Sequence, residues 1–66
     1  MDLVIDSTNL TQGQTVRILR ITQGWTQADL AAFAGVGVGD VSHLELDRRV
    51  RPNAVSAILE ALGMET

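Results

Sequence analysis

With 66 residues the chain has room for one domain, and a domain this short buries only roughly 60% of the surface its unfolded chain exposes. No cysteine is present, which excludes disulfides and thiolate metal sites, and a single histidine leaves a structural zinc ion without ligands. Hydrophobic residues at 45% and charged residues at 20% describe a globular chain rather than a disordered one, and no stretch approaches the about 18 apolar residues of a membrane span. The opening Met1-Asp2 lacks the basic region of a signal peptide, so a cytoplasmic location is expected.

Residues 1–9 read as a separate short segment. Leu3-Val4-Ile5 is a β-prone run between Asp2 and Asp6, too short to stand as an independent strand. It can pair with a second copy of itself or pack on the domain. Ser7-Thr8-Asn9 then offers capping chemistry for a following helix.

The spacing predicts a first helix over residues 10–23, with Val16, Leu19 and Gln23 on one face and Gly24 as its stop. Gly13 weakens its first turn and leaves the start open. Thr26 is an N-cap, Asp29 completes a capping-box pattern, and a helix over residues 27–34 ends at Gly35. A third helix resumes after Gly35-Val36-Gly37, carries Val41 and Leu44 on one side with Val38 as a further candidate, and ends near Leu46. Asp47-Arg48-Arg49 reads as a polar loop. Pro52-Asn53 opens a fourth helix with Val55, Ile58, Leu59 and Leu62 inward and Gly63 as its stop. The expectation is an all-α, compact domain of four to five helices over residues 10–66, behind a short extended segment at residues 1–9. Two short helices joined by a Gly-containing turn and flanked by longer ones have a helix-turn-helix layout.

The net charge of −3 disfavours a polyanionic partner unless the cations cluster. Of the five cations, Arg48, Arg49 and Arg51 do cluster, while Arg17 and Arg20 lie on the first helix and the acids are spread along the chain.

Gly24-Trp25-Thr26-Gln27-Ala28-Asp29-Leu30-Ala31 resembles the opening of the helix-turn-helix in the Cro/Xre-like phage-repressor family. Val41-Ser42-His43-Leu44-Glu45 is similar to that family's third helix, Arg20 to its late first-helix arginine, and Leu62-Gly63 to the end of its fourth helix. The resemblance spans residues 10–64 with the elements in order. It implies a core of Leu30, Val36, Val41, Leu44 and Leu62, with Ala31 where the second and third helices approach. It also implies a shielded Arg20–Glu45 ion pair of structural role. Val38, Gly39, Ser42 and His43 would then face base edges in the major groove. Thr26 and Gln27 would meet a phosphate at the head of the second helix, and Arg48, Arg49 and Arg51 would supply backbone cations.

The chain departs from the family pattern at several of these positions. Gly37 stands at the usual Ser/Thr cap, Val38 and Gly39 make no bidentate base contact, and Asp40 puts a carboxylate near phosphates. Asp47 replaces the glycine that commonly ends the third helix, in a loop about one residue longer. Shape readout and phosphate contacts would then carry more of the specificity.

Other chemistries find little support. Ser42 and His43 are helix neighbours about 100° apart, unsuited to nucleophile–base pairing, and the glycines lack the context of a phosphate loop. No enzyme activity, cofactor or metal is expected. His43 is either a base or phosphate donor or an ordinary exposed histidine, and Trp25 reads as packing under the turn. Ile18, Ile21 and Phe33 are surplus apolar residues that, with Leu3, Val4 and Ile5, can form a patch for a second subunit or lie under the chain's own N-terminal segment. The sequence therefore points to a dimeric, repressor-type regulator on a twofold-symmetric double-stranded DNA operator. The rival reading is a protein-interaction module on the same fold, such as an antitoxin, anti-repressor or adaptor.

Overall fold

The structure is a computed structural model that describes residues 10–64. Four helices and no strand occur among them: α1 (Gln12–Thr22), α2 (Gln27–Ala34), α3 (Val38–Glu45) and α4 (Pro52–Ala61). The expected extended segment, with Leu3, Val4 and Ile5, lies outside the described residues. None of the described helices is long and apolar enough to cross a membrane.

α1 begins two residues later than its spacing predicts. Its cap is Thr11 rather than the Ser7-Thr8-Asn9 run, which lies outside the described residues. Thr11 Oγ1 accepts from the Gln14 N–H at 3.1 Å and Gln14 Oε1 accepts from the Thr11 N–H at 3.0 Å, a complete capping box.

All four helices close in one way. A left-handed residue stands at the cap of α2 and just after the cap of the others; its N–H returns to the carbonyl three residues back, and the next N–H returns five back. Gly24, Gly35 and Gly63 fill this position with φ of 77°, 73° and 74°. In α3 the position belongs to Asp47, φ 58°, where a non-glycine residue costs about 1–2 kcal/mol. The side chain offsets that cost. Asp47 Oδ1 accepts from the Gly13 N–H at 3.0 Å and Oδ2 from the Thr11 hydroxyl at 2.6 Å. One carboxylate therefore caps the start of α1 from the end of α3, at the positive end of the α1 dipole. Asp47→Ala keeps the strained backbone and loses both bonds, so it should lower stability by about 1–2 kcal/mol. Asp47→Gly should lose less, a ranking that urea denaturation can check.

α3 is central and packs against α1, α2 and α4, while α2 also packs against α4. The buried core joins Val16 of α1, Leu30 and Ala31 of α2, Val41 and Leu44 of α3, and Ile58 and Leu59 of α4. Val36 and Leu62, expected inside, are half-buried at its edge. Val50, which follows the polar loop, is half-buried there too, and Ala54 is buried. Gly13 is more than a weak helix former. A Cβ there would run into the Leu44 carbonyl oxygen and lie 2.9 Å from that of Glu45, so α1 and α3 cross backbone against backbone.

Candidate nucleic-acid interface

α3 turns Val41, Leu44 and Glu45 inward. At about 100° per residue, Gly39, Ser42, His43 and Leu46 then share the opposite stripe. Gly39, His43 and Leu46 are exposed, Ser42 is half-buried, and Val38 stands exposed at the head of the helix. Gly37 provides no side-chain cap, and without a Cβ it leaves the approach to this first turn open. Asp40, expected beside phosphates, lies half-buried to one side of the stripe, in a cleft that Arg51, Gly35, Gly37 and Asn53 also line.

At the head of α2, Thr26 Oγ1 accepts from the Asp29 N–H at 3.0 Å, and Asp29 Oδ2 accepts from the Thr26 N–H at 2.9 Å. This box consumes two of the donors at that terminus. The N–H groups of Gln27 and Ala28, in the first turn, have no partner within the helix.

Beneath this surface runs a polar network. Arg20 Nε donates to Glu45 Oε2 at 2.6 Å and Nη2 donates to Oε1 at 3.0 Å, a bidentate pair with side chains 12% and 4% exposed. Arg20 Nη1 donates to the Trp25 carbonyl at 2.8 Å. Gln27 Nε2 donates to Glu45 Oε1 at 3.2 Å. The hydrogen bonds to Glu45 push the Arg20 guanidinium above its already high ordinary pKa, against the opposing pull of burial. Every buried side-chain polar atom among the described residues has a partner. The network ties α1, the α1–α2 turn, the head of α2 and the end of α3 into one unit, which fixes where α3 presents its outer stripe.

The remaining expected residues are dispersed. Arg48, Arg49 and Arg51 are exposed between α3 and α4. Ile18 and Ile21 lie one turn apart on the outer face of α1, 42% and 54% exposed. Phe33, 66% exposed, stacks on half-buried Trp25 with ring centroids 4.5 Å apart. Trp25 also packs against the core, which occupies it as a structural residue.

Two residues at this surface escape sequence reasoning. Arg17 lines a cleft of about 360 Å³ with Arg20, Gln27, Ser42, Glu45 and Leu46, and Leu46 is 60% exposed at the end of the stripe. The Arg17/Arg20 spacing puts both on adjoining parts of one helix face, but which neighbours that face meets is not a local property.

A short outward-facing helix held behind a capped partner helix by a glycine turn defines a helix-turn-helix domain, a class that binds DNA in transcription regulation. Residues 13–66 match the family model described as "Helix-turn-helix domain", and the chain belongs to that family. This agrees with the Cro/Xre-like resemblance. No curated protein and no solved structure matches the chain.

Proposed function

We propose that this domain is a sequence-specific, repressor-type transcriptional regulator of the Cro/Xre-like kind, a binding module rather than an enzyme. α3 lies in the major groove of double-stranded DNA. Val38, Gly39, Ser42 and His43 meet the base edges, and Thr26 and Gln27 approach a phosphate at the head of α2. Arg48, Arg49 and Arg51 neutralise backbone phosphates on the far side of α3. Two copies bind a twofold-symmetric operator, one helical turn apart. The observation that carries this reading is the outward stripe of α3, open at its head and held from behind by the Arg20–Glu45–Gln27 network.

The base-facing set shapes the expected specificity. Val38 offers a methyl surface for thymine, Gly39 allows close backbone approach, and Ser42 and His43 donate or accept single bonds. With no bidentate reader in that set, deformation of the duplex contributes to the choice of site.

Fluorescence anisotropy with a labelled duplex across a salt series tests the proposal. Binding should weaken steeply as salt rises, and Arg48→Ala and Arg49→Ala should each flatten the log–log slope by about 1. Unchanged slopes in both variants would remove the loop from the interface. Absence of binding at low salt would overturn the proposal as a whole.

A second reading is favoured by the net charge of −3 and by exposed Ile18, Ile21 and Phe33. In it the same fold docks a protein, as an antitoxin, anti-repressor or adaptor does, through those apolar side chains.

A further inference from the structure

We infer that the cleft between the α2–α3 turn and the start of α4 binds a small zwitterion, a free α-amino acid with an aliphatic side chain. The binding step stands apart from the DNA-binding reading above. Its consequence for DNA, which runs through Arg51, rests on that reading.

The cleft exists because small residues wall it. Gly35 and Gly37 come from the turn, Ala54 and Ala57 come from α4, and about 400 Å³ stays open between them. The space is not an artefact of crowding by neighbours: a Cβ on Gly35 would meet nothing within 4 Å, and one on Gly37 only Asp40 Oδ2 at 3.9 Å. Buried Ala54 with half-buried Val36 and Ala57 give the lining an apolar part.

Two opposite charges share this lining without meeting. Half-buried Asp40 stands in the first turn of α3 and exposed Arg51 at the cap of α4, and they form no ion pair among the described residues. The balance decides which ligand fits. A simple anion drawn to Arg51 would be repelled by Asp40, and a simple cation drawn to Asp40 would be repelled by Arg51. A ligand carrying both charges satisfies both groups. The guanidinium takes a carboxylate in a two-point fork, and the Asp40 carboxylate accepts from an ammonium. The Asn53 amide, which both donates and accepts, can serve either end. The aliphatic side chain then covers Val36, Ala54 and Ala57. Because Arg51 belongs to the arginine cluster assigned to the DNA backbone, a carboxylate seated on it competes with phosphate.

The test titrates the whole chain with L-leucine to about 50 mM and follows the backbone amides by NMR. For two charged contacts in an open cleft the dissociation constant should be roughly 1–10 mM. Saturable shifts should centre on Gly37, Asp40, Asn53 and Ala57. N-acetyl-L-leucine lacks the ammonium and L-leucinamide the carboxylate, so each should bind at least about tenfold more weakly. Asp40→Asn and Arg51→Gln should each lose the leucine response, and Ala57→Leu should lose it by filling the cleft with both charges in place. The analogue comparison uses the wild type and stands whether or not a variant folds. No saturable shift with L-leucine overturns the site, and so does equal binding of all three compounds. In anisotropy with labelled duplex, saturating L-leucine should weaken binding about threefold, a loss that screening cannot supply because a zwitterion adds no ionic strength. Leucine binding with unchanged DNA affinity would overturn the competition through Arg51 alone. A chain that binds leucine but no DNA at low salt would sink the DNA-binding reading and support the site.

Discussion

Gly13→Ala should destabilise the domain by about 2–3 kcal/mol, although alanine is the better helix former by about 1 kcal/mol. The sign is the informative part. Helix propensity alone predicts a gain at this position. Against it stands the crossing of α1 and α3, where an added Cβ meets the Leu44 carbonyl oxygen and lies 2.8 Å from Asp47 Oδ1 and 2.9 Å from the Glu45 carbonyl oxygen. Two of these neighbours are backbone atoms, so relief requires the helices to separate. Separation would lengthen the Gly13–Asp47 bond and pull Arg20 away from Glu45, so the loss spreads along the α1–α3 seam. For a chain of this length total stability is roughly 3–10 kcal/mol, and the melting temperature should fall by at least about 10 °C. A melting temperature equal to or above that of the wild type would show that the crossing is looser than described.

The larger effect is expected at the ion pair. Arg20→Ala leaves the Glu45 carboxylate, 4% exposed, with only the Gln27 amide to donate to it. Glu45→Ala leaves a guanidinium, 12% exposed, with the Trp25 carbonyl alone. Each removal strands a shielded charge and should cost about 3–5 kcal/mol, enough to unfold a marginal domain at moderate temperature. Arg20→Lys should recover little, since one ammonium cannot reproduce the bidentate geometry and also reach the turn carbonyl. The double variant Arg20→Met/Glu45→Met should be far more stable than the sum of the single losses predicts, because neither charge is left behind. A double-mutant cycle by urea denaturation measures this directly. Additive losses below about 1 kcal/mol each would assign the pair to the solvated class.

The four helices are legible because their ends carry strong local chemistry. Thr26 with Asp29, Gly24, Gly35 and Gly63 mark boundaries that need no partner to be recognised. The start of α1 was ambiguous for a reason that local rules cannot resolve. Asn9 with Gln12 and Thr11 with Gln14 are equivalent capping boxes on sequence, and only the distant Asp47 carboxylate reinforces Thr11. Asp47 itself reads as a departure from a glycine stop. Its left-handed backbone and its two bonds to α1 explain that choice, and both depend on where α1 lies.

The candidate site divides in the same manner. The family resemblance implies an outward Gly39, Ser42 and His43, and helical period explains why they lie opposite buried Val41 and Leu44. Arg17 could not be read ahead, because its relation to Gln27 and Ser42 depends on how α1 is rotated against α2 and α3. Gln27 shows a second limit. Its backbone N–H at the head of α2 follows from local rules, but the turn of its side-chain amide toward Glu45 does not, because that contact joins residues 18 apart in the chain.

Chemical-shift mapping of the backbone amides during titration with double-stranded DNA tests the central claim most directly. Val38, Gly39, Ser42 and His43 should move together with Gln27 and Arg48, while Ile18, Ile21 and Phe33 stay in place. Shifts confined to those three apolar residues, or a spectrum unchanged at saturating DNA and low salt, would contradict it.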